Sequence, residues 1–392
     1  MKGSETSDMS IKVLHILTRL IAAGADENTI YTIQGLDKSE FECDLLIGGE
    51  SEIAEKVQEQ GINVITVKSL VRSVNVIKDT LALIEIIRII LKNEYDIVHT
   101  HTAKAGFVGR LAAHIAGTKI IIHSLHGLSF HNFMPKFQRR FFVLLERFVG
   151  RYTDLFISVG ENIKNKSIEE KIGSAVKYTT IYSGMDLGKF ENINFDAIKM
   201  KKSLGLHESK FIIGTVARLE PRKGPHYFID VISHIKRSFP DSKAVIVGTG
   251  SFENELKEKV HALNLGEDII FTGYRKDIAE IMSIFDVVCL TSLWEGIPRV
   301  LIQGAKLGKP LVAFDIDGNS EVIKNGINGF LIPPINIQEF ADRVMDIIKD
   351  STLRKSMALE SLKIIDHRWD KKYMAEEIQR YYLKMCREKD II

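Results

Sequence analysis

The sequence has little of several features that would place a protein in a special class. It contains only three cysteines among 392 residues, Cys43, Cys289 and Cys386, too far apart for a disulfide framework or a four-thiolate metal site. So few cysteines are typical of a reduced, cytoplasmic compartment. Net charge is small as well, because 53 Lys and Arg residues are balanced by 51 Asp and Glu residues. Bulk charge therefore gives no reason to expect binding to nucleic acid.

Long apolar runs are missing too. The residues before Ile11 are polar, so the sequence predicts no secretory signal. The most apolar helical stretch, 81–91, is too short for a bilayer and carries Glu85 and Arg88. We therefore expect a cytoplasmic protein that at most touches the inner face of the plasma membrane.

What is present is an alternation of short Ile- and Val-rich runs with amphipathic segments, and it occurs twice. The first series of predicted strands is Lys12–Leu17, Cys43–Ile47, Asn63–Val67, Asp96–His99, Ile120–His123 and Asp154–Val159. The second is Phe211–Val216, Ala244–Val247, Ile269–Thr272, Val287–Leu290 and Pro310–Phe314. This alternation predicts parallel sheets with right-handed crossovers. We expect an α/β fold of two doubly wound, Rossmann-like domains (1–190 and 191–370) facing one another across a cleft, with the terminal helix 371–392 packed back on the first domain.

Ligands of such sheets bind beyond the carboxyl ends of the strands, and the segment after the strand 211–216 carries suitable residues. Arg218 leaves the strand end, and Lys223 with Gly224 opens the next helix. Two cations and backbone N–H groups at one helix start suit a diphosphate. The alternative is a solvated loop with three positive residues.

Two further strand ends carry weaker patterns. Gly248 and Gly250 would let the backbone approach a phosphate or a base closely, although a tight strand–helix turn explains them equally well. No third glycine completes a dinucleotide fingerprint. Tyr274 and Arg275 offer planar faces for a nucleobase, with an exposed turn as the alternative.

The most informative segment lies between residues 292 and 310. Pro298 opens a predicted helix, Glu295 lies in the loop just before it, and Gln303 projects from its second turn. The amides near Arg299 and Val300 are available to phosphate oxygens. A well-capped core helix is the alternative interpretation.

Taken together, these segments resemble the family 4 glycosyltransferases, retaining enzymes of the two-domain GT-B fold. The order and the intervals of the motifs fit over nearly the whole chain. The matching motifs are Arg218…Lys223-Gly224, Gly248-x-Gly250, Glu295-Gly-Ile-Pro298 and Ser183-Gly-Met-Asp186. The resemblance implies that Glu295 contacts the donor sugar and that position 303 contacts the ribose hydroxyls of a nucleotide-sugar.

Two positions depart from the family pattern. Gln303 stands where the family has a second Glu, and Ser183 where it commonly has Asn. An amide can hydrogen-bond a ribose diol, but it cannot act as a base or a nucleophile. This difference argues against a glycosidase that uses two carboxylates at this pair.

The resemblance also implies roles for the first domain. Gly24, in Ala23-Gly24-Ala25-Asp26, matches a glycine loop that approaches the diphosphate, with the usual paired glycines reduced to one. His126, in His126-Gly127, is the histidine expected to face the donor sugar. Lys104 could reach a phosphate or the acceptor, or could be a surface lysine.

Two groups of residues raise the question of a metal. Histidines crowd two predicted strand ends, and we prefer neutral hydrogen-bonding roles to a zinc site because no thiolate or carboxylate has matching spacing. These histidines are His99, His101, His123, His126 and His131. Asp315-Ile-Asp317 mimics a metal-binding motif of another glycosyltransferase architecture, and we interpret it as a loop. We expect no metal and no other cofactor, since the nucleotide-sugar is a substrate.

The segment Phe133–Tyr152 is both basic and aromatic. Such a helix can lie on an anionic membrane, but we prefer the interpretation that its aromatic side chains belong to the core and its charges to the outer face. Its cations are Lys136, Arg139, Arg140, Arg147 and Arg151.

The predicted function is that of a retaining glycosyltransferase. It would move a hexosyl or N-acetylhexosaminyl group from a nucleotide-diphosphate donor, UDP first, to a hydroxyl of a glycan or lipid-linked glycan in surface polysaccharide biosynthesis. Arg218, Lys223 and the amides around Arg299 would stabilise the leaving diphosphate. The alternatives are a nucleotide-sugar epimerase or phosphorylase, and a degenerate nucleotide-sugar-binding protein, which Gln303 and Ser183 would explain.

Overall fold

The computed structural model describes residues 10–21, 24–131, 133–207 and 209–392. It divides into two compact units, one that runs up to Met185 and includes His367–Ile392, and one that comprises Asp186–Asp366. The sequence placed these divisions at residues 190 and 370. Among the described residues, no helix has both the length and the apolarity needed to cross a membrane.

The first unit contains a seven-stranded sheet in the order β3-β2-β1-β4-β5-β6-β7, with all strands parallel. Its strands are β1 (Ile11–Leu17), β2 (Phe41–Gly48), β3 (Asn63–Val67), β4 (Ile97–His101), β5 (Ile120–Leu125), β6 (Leu155–Ser158) and β7 (Tyr178–Thr180). The helices between them are α1 (Gly24–Gly35), α2 (Ala54–Glu59), α3 (Val76–Asn93), α4 (Ala103–Ala116), α5 (Lys136–Gly150) and α6 (Glu161–Glu169). Central strands such as β4 and β5 are buried along their whole length, because helices cover both faces of the sheet.

The second unit contains a six-stranded parallel sheet in the order β10-β9-β8-β11-β12-β13. Its strands are β8 (Phe211–Val216), β9 (Ser242–Val247), β10 (Ile269–Gly273), β11 (Val287–Leu290), β12 (Leu311–Phe314) and β13 (Gly329–Ile332). Its helices are α7 (Ala197–Ser203), α8 (Pro225–Lys236), α9 (Glu253–Ala262), α10 (Ile278–Ser283), α11 (Arg299–Lys306), α12 (Asn319–Val322), α13 (Ile337–Lys349) and α14 (Ser351–Ile364). The predicted apolar stripe of α8 is buried in the core of this unit, as the helical spacing of Phe228, Val231, Ile232 and Ile235 requires.

The terminal helix α15 (Lys371–Glu388) belongs to the first unit and packs against α1. Its inner stripe, which includes Met374, Ile378 and Tyr382, joins the same apolar cluster as Val13 of β1. Tyr382 is completely buried there. A helix from the far end of the chain therefore completes the first core.

The alternation of parallel strands and helices confirms the predicted pair of doubly wound sheets. Two edge strands, β7 and β13, were not expected from the sequence. They have three and four residues, and neither is buried throughout, so the apolar signal that reveals an inner strand is weak.

Candidate active site

The topology of the second unit brings several predicted site residues to one edge of its sheet. Strands β9, β8, β11 and β12 are neighbours and parallel, so the loops that follow them leave from the same edge. These loops carry Gly248, Arg218, Glu295 and Asp317, respectively. Tyr274 follows β10, one strand further out.

The loop after β8 concentrates positive charge around one carboxylate. The Arg218 Nη1 and Arg222 Nε atoms each lie 3.1 Å from an oxygen of Glu220. Burial by itself raises the pKa of Glu220, but the hydrogen bond from Arg222 and the charges of Arg218, Arg222 and Lys223 outweigh it and lower the pKa. Glu220 is therefore ionised at neutral pH and holds the two guanidinium groups in place, while the loop keeps an excess of positive charge.

An ion pair at this edge joins the loops after β8 and β11. The Lys223 ammonium donates to both oxygens of the Glu295 carboxylate, with Nζ–O distances of 2.5 and 2.8 Å. Both side chains are mostly shielded from solvent. An ammonium group has three N–H donors, so Lys223 can bind a phosphate oxygen while it still holds Glu295. This arrangement places a fixed carboxylate beside a cation that is suited to a diphosphate.

The loop that carries Glu295 is itself held by its neighbour. The Glu295 backbone N–H donates to Oδ2 of Asp317 at 3.0 Å. Asp317, from the Asp315-x-Asp317 pattern, thus accepts a backbone hydrogen bond that orients Glu295. This contact gives the second aspartate of the pattern a structural role.

Gly248 and Gly250 are needed for a close approach between two stretches of backbone. A Cβ atom on Gly248 would lie 2.0 Å from the Ala217 carbonyl oxygen, and one on Gly250 would lie 2.3 Å from the Leu219 carbonyl oxygen. The loop after β9 therefore packs directly against the segment that carries Arg218. In the structure these glycines fix that segment, and a contact from them to a phosphate stays a prediction.

The two residues after β10 differ in how accessible they are to a nucleobase. Tyr274 is exposed. Arg275 is engaged by Asp277, to which it donates from Nε at 2.8 Å and also from Nη2. A nucleobase could stack on Tyr274, whereas the guanidinium of Arg275 already has a carboxylate partner.

Helix α11 begins at Arg299, with Pro298 as its cap, and its apolar side is buried. The Leu301 N–H donates to the Pro298 carbonyl at 3.0 Å, so the first turn at Arg299 and Val300 lies directly after the Glu295 loop. Gln303 is half-buried one turn further along. Glu295 thus lies in the loop after β11, and Gln303 lies in the helix α11 that follows this loop.

In the first unit, strand alternation sorts the histidines between the two faces of the sheet. His15 of β1 lies opposite His99 of β4, and His101 is two residues further on, so these three rings share one face. His123 is paired in register with Thr100 and lies on the other face, where its Nδ1 is 2.9 Å from the Thr100 hydroxyl oxygen. The predicted cluster is therefore two separate groups.

The shared face holds a chain of three imidazoles. The His15 Nδ1 atom lies 3.1 Å from His101 Nε2, and His101 Nδ1 lies 3.1 Å from His126 Nε2. Burial lowers the pKa of His15 to about 3 and the pKa of His101 well below its ordinary value. Both rings are therefore neutral at physiological pH and carry one proton each.

The donor and acceptor roles along this row of three imidazoles follow from His15, the ring at its buried end. His15 Nε2 is buried and has no partner among the described residues. If His15 carried its proton there, an N–H group would be buried without an acceptor, which costs more than an unused lone pair. His15 therefore donates to His101, and His101 donates to His126. In its neutral form, His126 then carries its proton on Nδ1.

His99 belongs to the same face but has partners of its own. Its Nδ1 lies 2.5 Å from the Tyr382 hydroxyl of α15, and its Nε2 lies 2.8 Å from the Ser124 hydroxyl. Among the described residues, His15, His99 and His101 are the one group of three spaced closely enough to hold a metal ion. His99 could bind an ion only by giving up one of these hydrogen bonds, so the contacts favour neutral hydrogen-bonding roles.

Known proteins resemble both halves of the chain. Residues 20–159 match the family described as glycosyl transferase 4-like, and residues 196–362 match the glycosyl transferases group 1. The UDP-Gal:alpha-D-GlcNAc-diphosphoundecaprenol alpha-1,3-galactosyltransferase of Escherichia coli is 31% identical over 353 residues, which cover 89% of this chain and 91% of that protein. The chain belongs to the family 4 glycosyltransferases. It is therefore an enzyme that transfers a sugar.

Other relatives agree with this assignment. The capsular polysaccharide biosynthesis glycosyltransferase CapM of Staphylococcus aureus is 23% identical over 81% of this chain and 84% of its own length. The crystal structure of Anabaena HepE in complex with UDP-glucose has a TM-score of 0.82 at 24% identity, and the match covers 95% of this chain and all of that one. The sucrose-phosphate synthase of Thermosynechococcus elongatus has a TM-score of 0.80 at 17% identity, over 96% and 99% of the two chains. These similarities confirm the GT-B fold.

Three other residues that the sequence singled out, Gly24, Ser183 and Lys104, lie in the first unit. Gly24 is the first residue of α1, while Ala23 of the same loop lies outside the described residues. The Ser183 hydroxyl accepts from Nδ2 of buried Asn28 at 2.8 Å. Lys104 donates to Asp79 at 2.5 Å and is mostly shielded, which makes it part of an ion pair rather than a surface lysine.

One interpretation of the sequence is wrong. The sequence favoured a core placement for Phe137, Phe141, Phe142 and Phe148. In the structure Phe142 is half-buried, and the other three are exposed and do not belong to the core. Val143, Glu146 and Val149 form the buried side of α5 instead. The periodicity predicts an amphipathic helix but does not say which side faces the sheet.

Two residues of the histidine network were missed. His15 could have been found, because it lies in the first predicted strand. The two-residue period of a strand places its side chain on one face of the sheet, the face that His99 of the neighbouring strand β4 also occupies. Tyr382 gave no such signal, since only the tertiary packing of α15 brings it to His99.

Proposed function

We propose that the enzyme transfers a sugar from a UDP donor to a hydroxyl of a lipid-linked glycan, with retention of the anomeric configuration, in the biosynthesis of a surface polysaccharide. The galactosyltransferase relative makes UDP-galactose the first donor to test and a glycan on a lipid diphosphate the first acceptor class. The HepE complexes support a UDP donor on a chain of the same fold.

The contact between Lys223 and Glu295 is the observation that carries this proposal. It brings a cation for the diphosphate and a carboxylate for sugar hydroxyls within 2.8 Å at one sheet edge. Arg218 adds a second cation on the same loop as Lys223. Negative charge that develops on the leaving diphosphate is stabilised most by cations that are already in place.

Retention is proposed to follow a front-face path. Gln303 has no ionisable group, so the pair at positions 295 and 303 holds one carboxylate, and a mechanism that needs two is not available there. A departing phosphate oxygen would then take the proton of the acceptor hydroxyl on the same face of the sugar. The cations around the diphosphate would stabilise the charge separation that this path requires.

We propose that no metal and no other cofactor takes part. Arg218, Lys223 and the first-turn amides of α11 supply the positive charge that a divalent cation would otherwise provide at a diphosphate. Glu295 would bind donor hydroxyls, and Gln303 the ribose. In the first unit, His126, which is hydrogen-bonded to His101, would orient the donor sugar.

A donor screen tests the proposal. The purified full chain is incubated with UDP-, GDP- and ADP-sugars and a synthetic acceptor, a glycan on a lipid diphosphate, and nucleotide release and products are measured. We expect turnover with a UDP-hexose or UDP-N-acetylhexosamine, and an anomeric proton coupling in the product that matches the donor. Epimerisation of the donor without an acceptor would identify an epimerase, and UDP binding without transfer to any acceptor would identify a binding protein.

Arg218→Ala tests the assigned site within the same assay. We expect kcat/KM for the donor to fall about 100-fold, because one preorganised cation at a developing charge is lost. Arg343→Ala is the matched control, since the two side chains are 46% and 45% exposed and each forms an ion pair with a nearby carboxylate. Equal donor kinetics for both variants would contradict the assignment of Arg218.

A further inference from the structure

The hydroxyl group of Tyr382 is buried at a place where packing alone does not require it. Tyr382 lies on the inner stripe of α15 and is completely shielded from solvent. Its ring packs against Phe41 inside an apolar cluster, with the two ring centroids 5.9 Å apart. A phenylalanine would fill this space equally well, and a buried hydroxyl costs free energy unless it forms a hydrogen bond. The hydroxyl therefore points to a role besides packing.

This hydroxyl reaches a central strand of the sheet. Its oxygen lies 2.5 Å from Nδ1 of His99 in β4, and the other ring nitrogen of His99, Nε2, lies 2.8 Å from the Ser124 hydroxyl of β5. All three side chains are buried. One imidazole thus joins the last helix of the chain to the strand that ends directly before His126.

The donor and acceptor roles around His99 follow from its two hydroxyl partners. Burial lowers the pKa of His99 well below its ordinary value, so the ring is neutral and carries one proton. If His99 donated from Nδ1 to Tyr382, the phenol proton would have no acceptor among the described residues. This proton is the more acidic of the two hydroxyl protons, and Tyr382 is more deeply buried than Ser124. Tyr382 therefore donates to Nδ1, and His99 carries its proton on Nε2 and donates to Ser124.

His99 also contacts the imidazole chain that ends at His126. Its ring centroid lies 4.3 Å from that of His101 and 5.1 Å from that of His15. Rings at such distances pack directly against one another, so a turn of the His99 ring displaces its neighbours. His101 in turn is hydrogen-bonded to His126 at 3.1 Å. The position of His126 therefore depends on the orientation of His99, and that orientation depends on Tyr382.

We propose that Tyr382 is a positioning residue of the transfer reaction. Its hydroxyl holds His99 in one tautomer and one orientation, and through His101 it fixes His126 at the donor sugar. The last helix of the chain thereby supports the site of the first unit as well as its core. The inference rests on the proposed role of His126 at the donor sugar, whereas the tautomer of His99 can be measured independently of that role.

Tyr382→Phe removes this hydroxyl and keeps the ring, and Tyr381→Phe is the matched control. Tyr381 is the preceding residue of the same helix, and its hydroxyl is hydrogen-bonded to Thr179 of the edge strand β7 at 2.7 Å. We expect Tyr382→Phe to lower kcat about fivefold with the donor KM unchanged, because a misplaced group impairs the reaction geometry more than donor binding. Tyr381→Phe should change neither constant.

Two results of these kinetics would overturn the proposal. One is an unchanged kcat in Tyr382→Phe. The other is an equal loss of kcat in Tyr381→Phe, since the cause would then be a general loosening of α15.

A double substitution separates positioning from stability. His99→Phe leaves the Tyr382 hydroxyl buried without a partner, so it should lower both the melting temperature and kcat. Adding Tyr382→Phe removes that hydroxyl, so the melting temperature should recover in part, while kcat should stay at the level of His99→Phe. A kcat that recovers with the melting temperature would reduce Tyr382 to a structural role. A further fall of kcat would show that Tyr382 does not act through His99.

The tautomer of His99 gives a readout that needs no enzymatic activity. In the full chain made with ¹⁵N-labelled histidine, two-bond NMR couplings between ring nitrogens and ring protons show which nitrogen is protonated, and His99→Phe assigns the signals of His99. We expect the proton on Nε2 in the unmodified chain and in Tyr381→Phe. In Tyr382→Phe the proton distribution of His99 should change and the signals of His101 should shift.

The spectra also distinguish a failure of this inference from a failure of the proposed function. A proton on Nδ1 of His99 in the unmodified chain would overturn the inference, and so would unchanged signals of His99 and His101 in Tyr382→Phe. Absence of transfer from every donor, together with the expected spectra, would instead contradict the proposed function and leave the contact of Tyr382 with His99 standing.

Discussion

The two units place different chemistry at the ends of similar sheets. In the first, imidazoles within the central strands and just after β5 hydrogen-bond to one another. In the second, they are charged groups on loops, among them the ion pair of Lys223 with Glu295. Buried neutral rings suit the orientation of hydroxyl groups, while partly exposed cations suit a diphosphate.

The difference has a physical cause. His15 and His99 lie inside strands that are covered on both faces, so burial keeps them neutral. Arg218 and Lys223 lie beyond the strand end, where solvent and the nearby carboxylates of Glu220 and Glu295 stabilise their positive charges. The same topology thus supplies two electrostatic environments, depending on whether a side chain lies within the strand or after it.

The largest expected effect is a difference in acid stability between the units. The folded pKa of His15, about 3, lies below its unfolded value of 6.5, and the pKa values of His99, His101 and His123 are also well lowered. The unfolded state therefore binds more protons, and stability that is complete above pH 6.5 is lost as the pH falls towards 3. At pH 5 the protonation of His15 alone lowers the free energy of unfolding by about 2 kcal/mol relative to its value above pH 6.5.

Tryptophan fluorescence can follow this loss in each unit, because Trp294 lies in the second and Trp369 in the first. In Trp294→Phe, urea unfolding at pH 7.5 and at pH 5 reports the first unit alone. Subtracting the Trp294→Phe signal from that of the unmodified chain gives the unfolding curve of Trp294. The stability that this curve reports for the second unit should fall less between pH 7.5 and pH 5 than that of the first unit. His15→Gln should remove part of the pH dependence. Equal losses in both units would show that buried histidines do not set the difference.

The next effect concerns the ion pair of the second unit. Lys223→Ala should lower kcat/KM for the donor about 100- to 1000-fold, because a cation at the diphosphate is lost. Lys236→Ala is the control, since Lys236 forms a similarly shielded pair with Asp268 at 2.8 Å and lies at the end of α8. It should lower the melting temperature and leave kcat/KM unchanged. Full activity in Lys223→Ala would remove the pair from the mechanism.

A smaller effect is expected for the imidazole chain of the first unit. His101 is a positioning residue, so His101→Asn should lower kcat about tenfold and leave the donor KM nearly constant. His123→Asn is the control from the opposite face of the same sheet and should affect stability without this change in kcat. If both variants reduced kcat equally, the chain from His15 to His126 would have no special role.

The smallest expected effect is at Gln303. Gln303→Glu should lower the donor KM about fivefold, because a carboxylate accepts hydrogen bonds from a ribose diol more strongly than an amide does. The value of kcat should stay the same, and inhibition by UDP should strengthen in parallel. A higher KM would place position 303 near phosphate oxygens instead of the ribose.

Much of the fold was predictable because strands such as β11 and β12 are continuous apolar runs followed by polar residues. The sequence also predicted that Arg218, Lys223 and Glu295 lie in segments after strands, and the structure places them in the loops after β8 and β11. Their role as a site stays a prediction. Contacts between loops were not predictable: no local pattern shows that Lys223 reaches Glu295 or that Gly250 packs on Leu219.

The sequence alone determined the alternation of strands and helices, the family, and the residues at strand ends, because hydrophobic period and motif spacing are local properties. Only the tertiary structure decided that α15 completes the first core, that His15 joins the imidazole chain, and that the phenylalanines of α5 face outward. Each of these depends on which surfaces meet in space, and an amphipathic period specifies two faces without saying which one is covered.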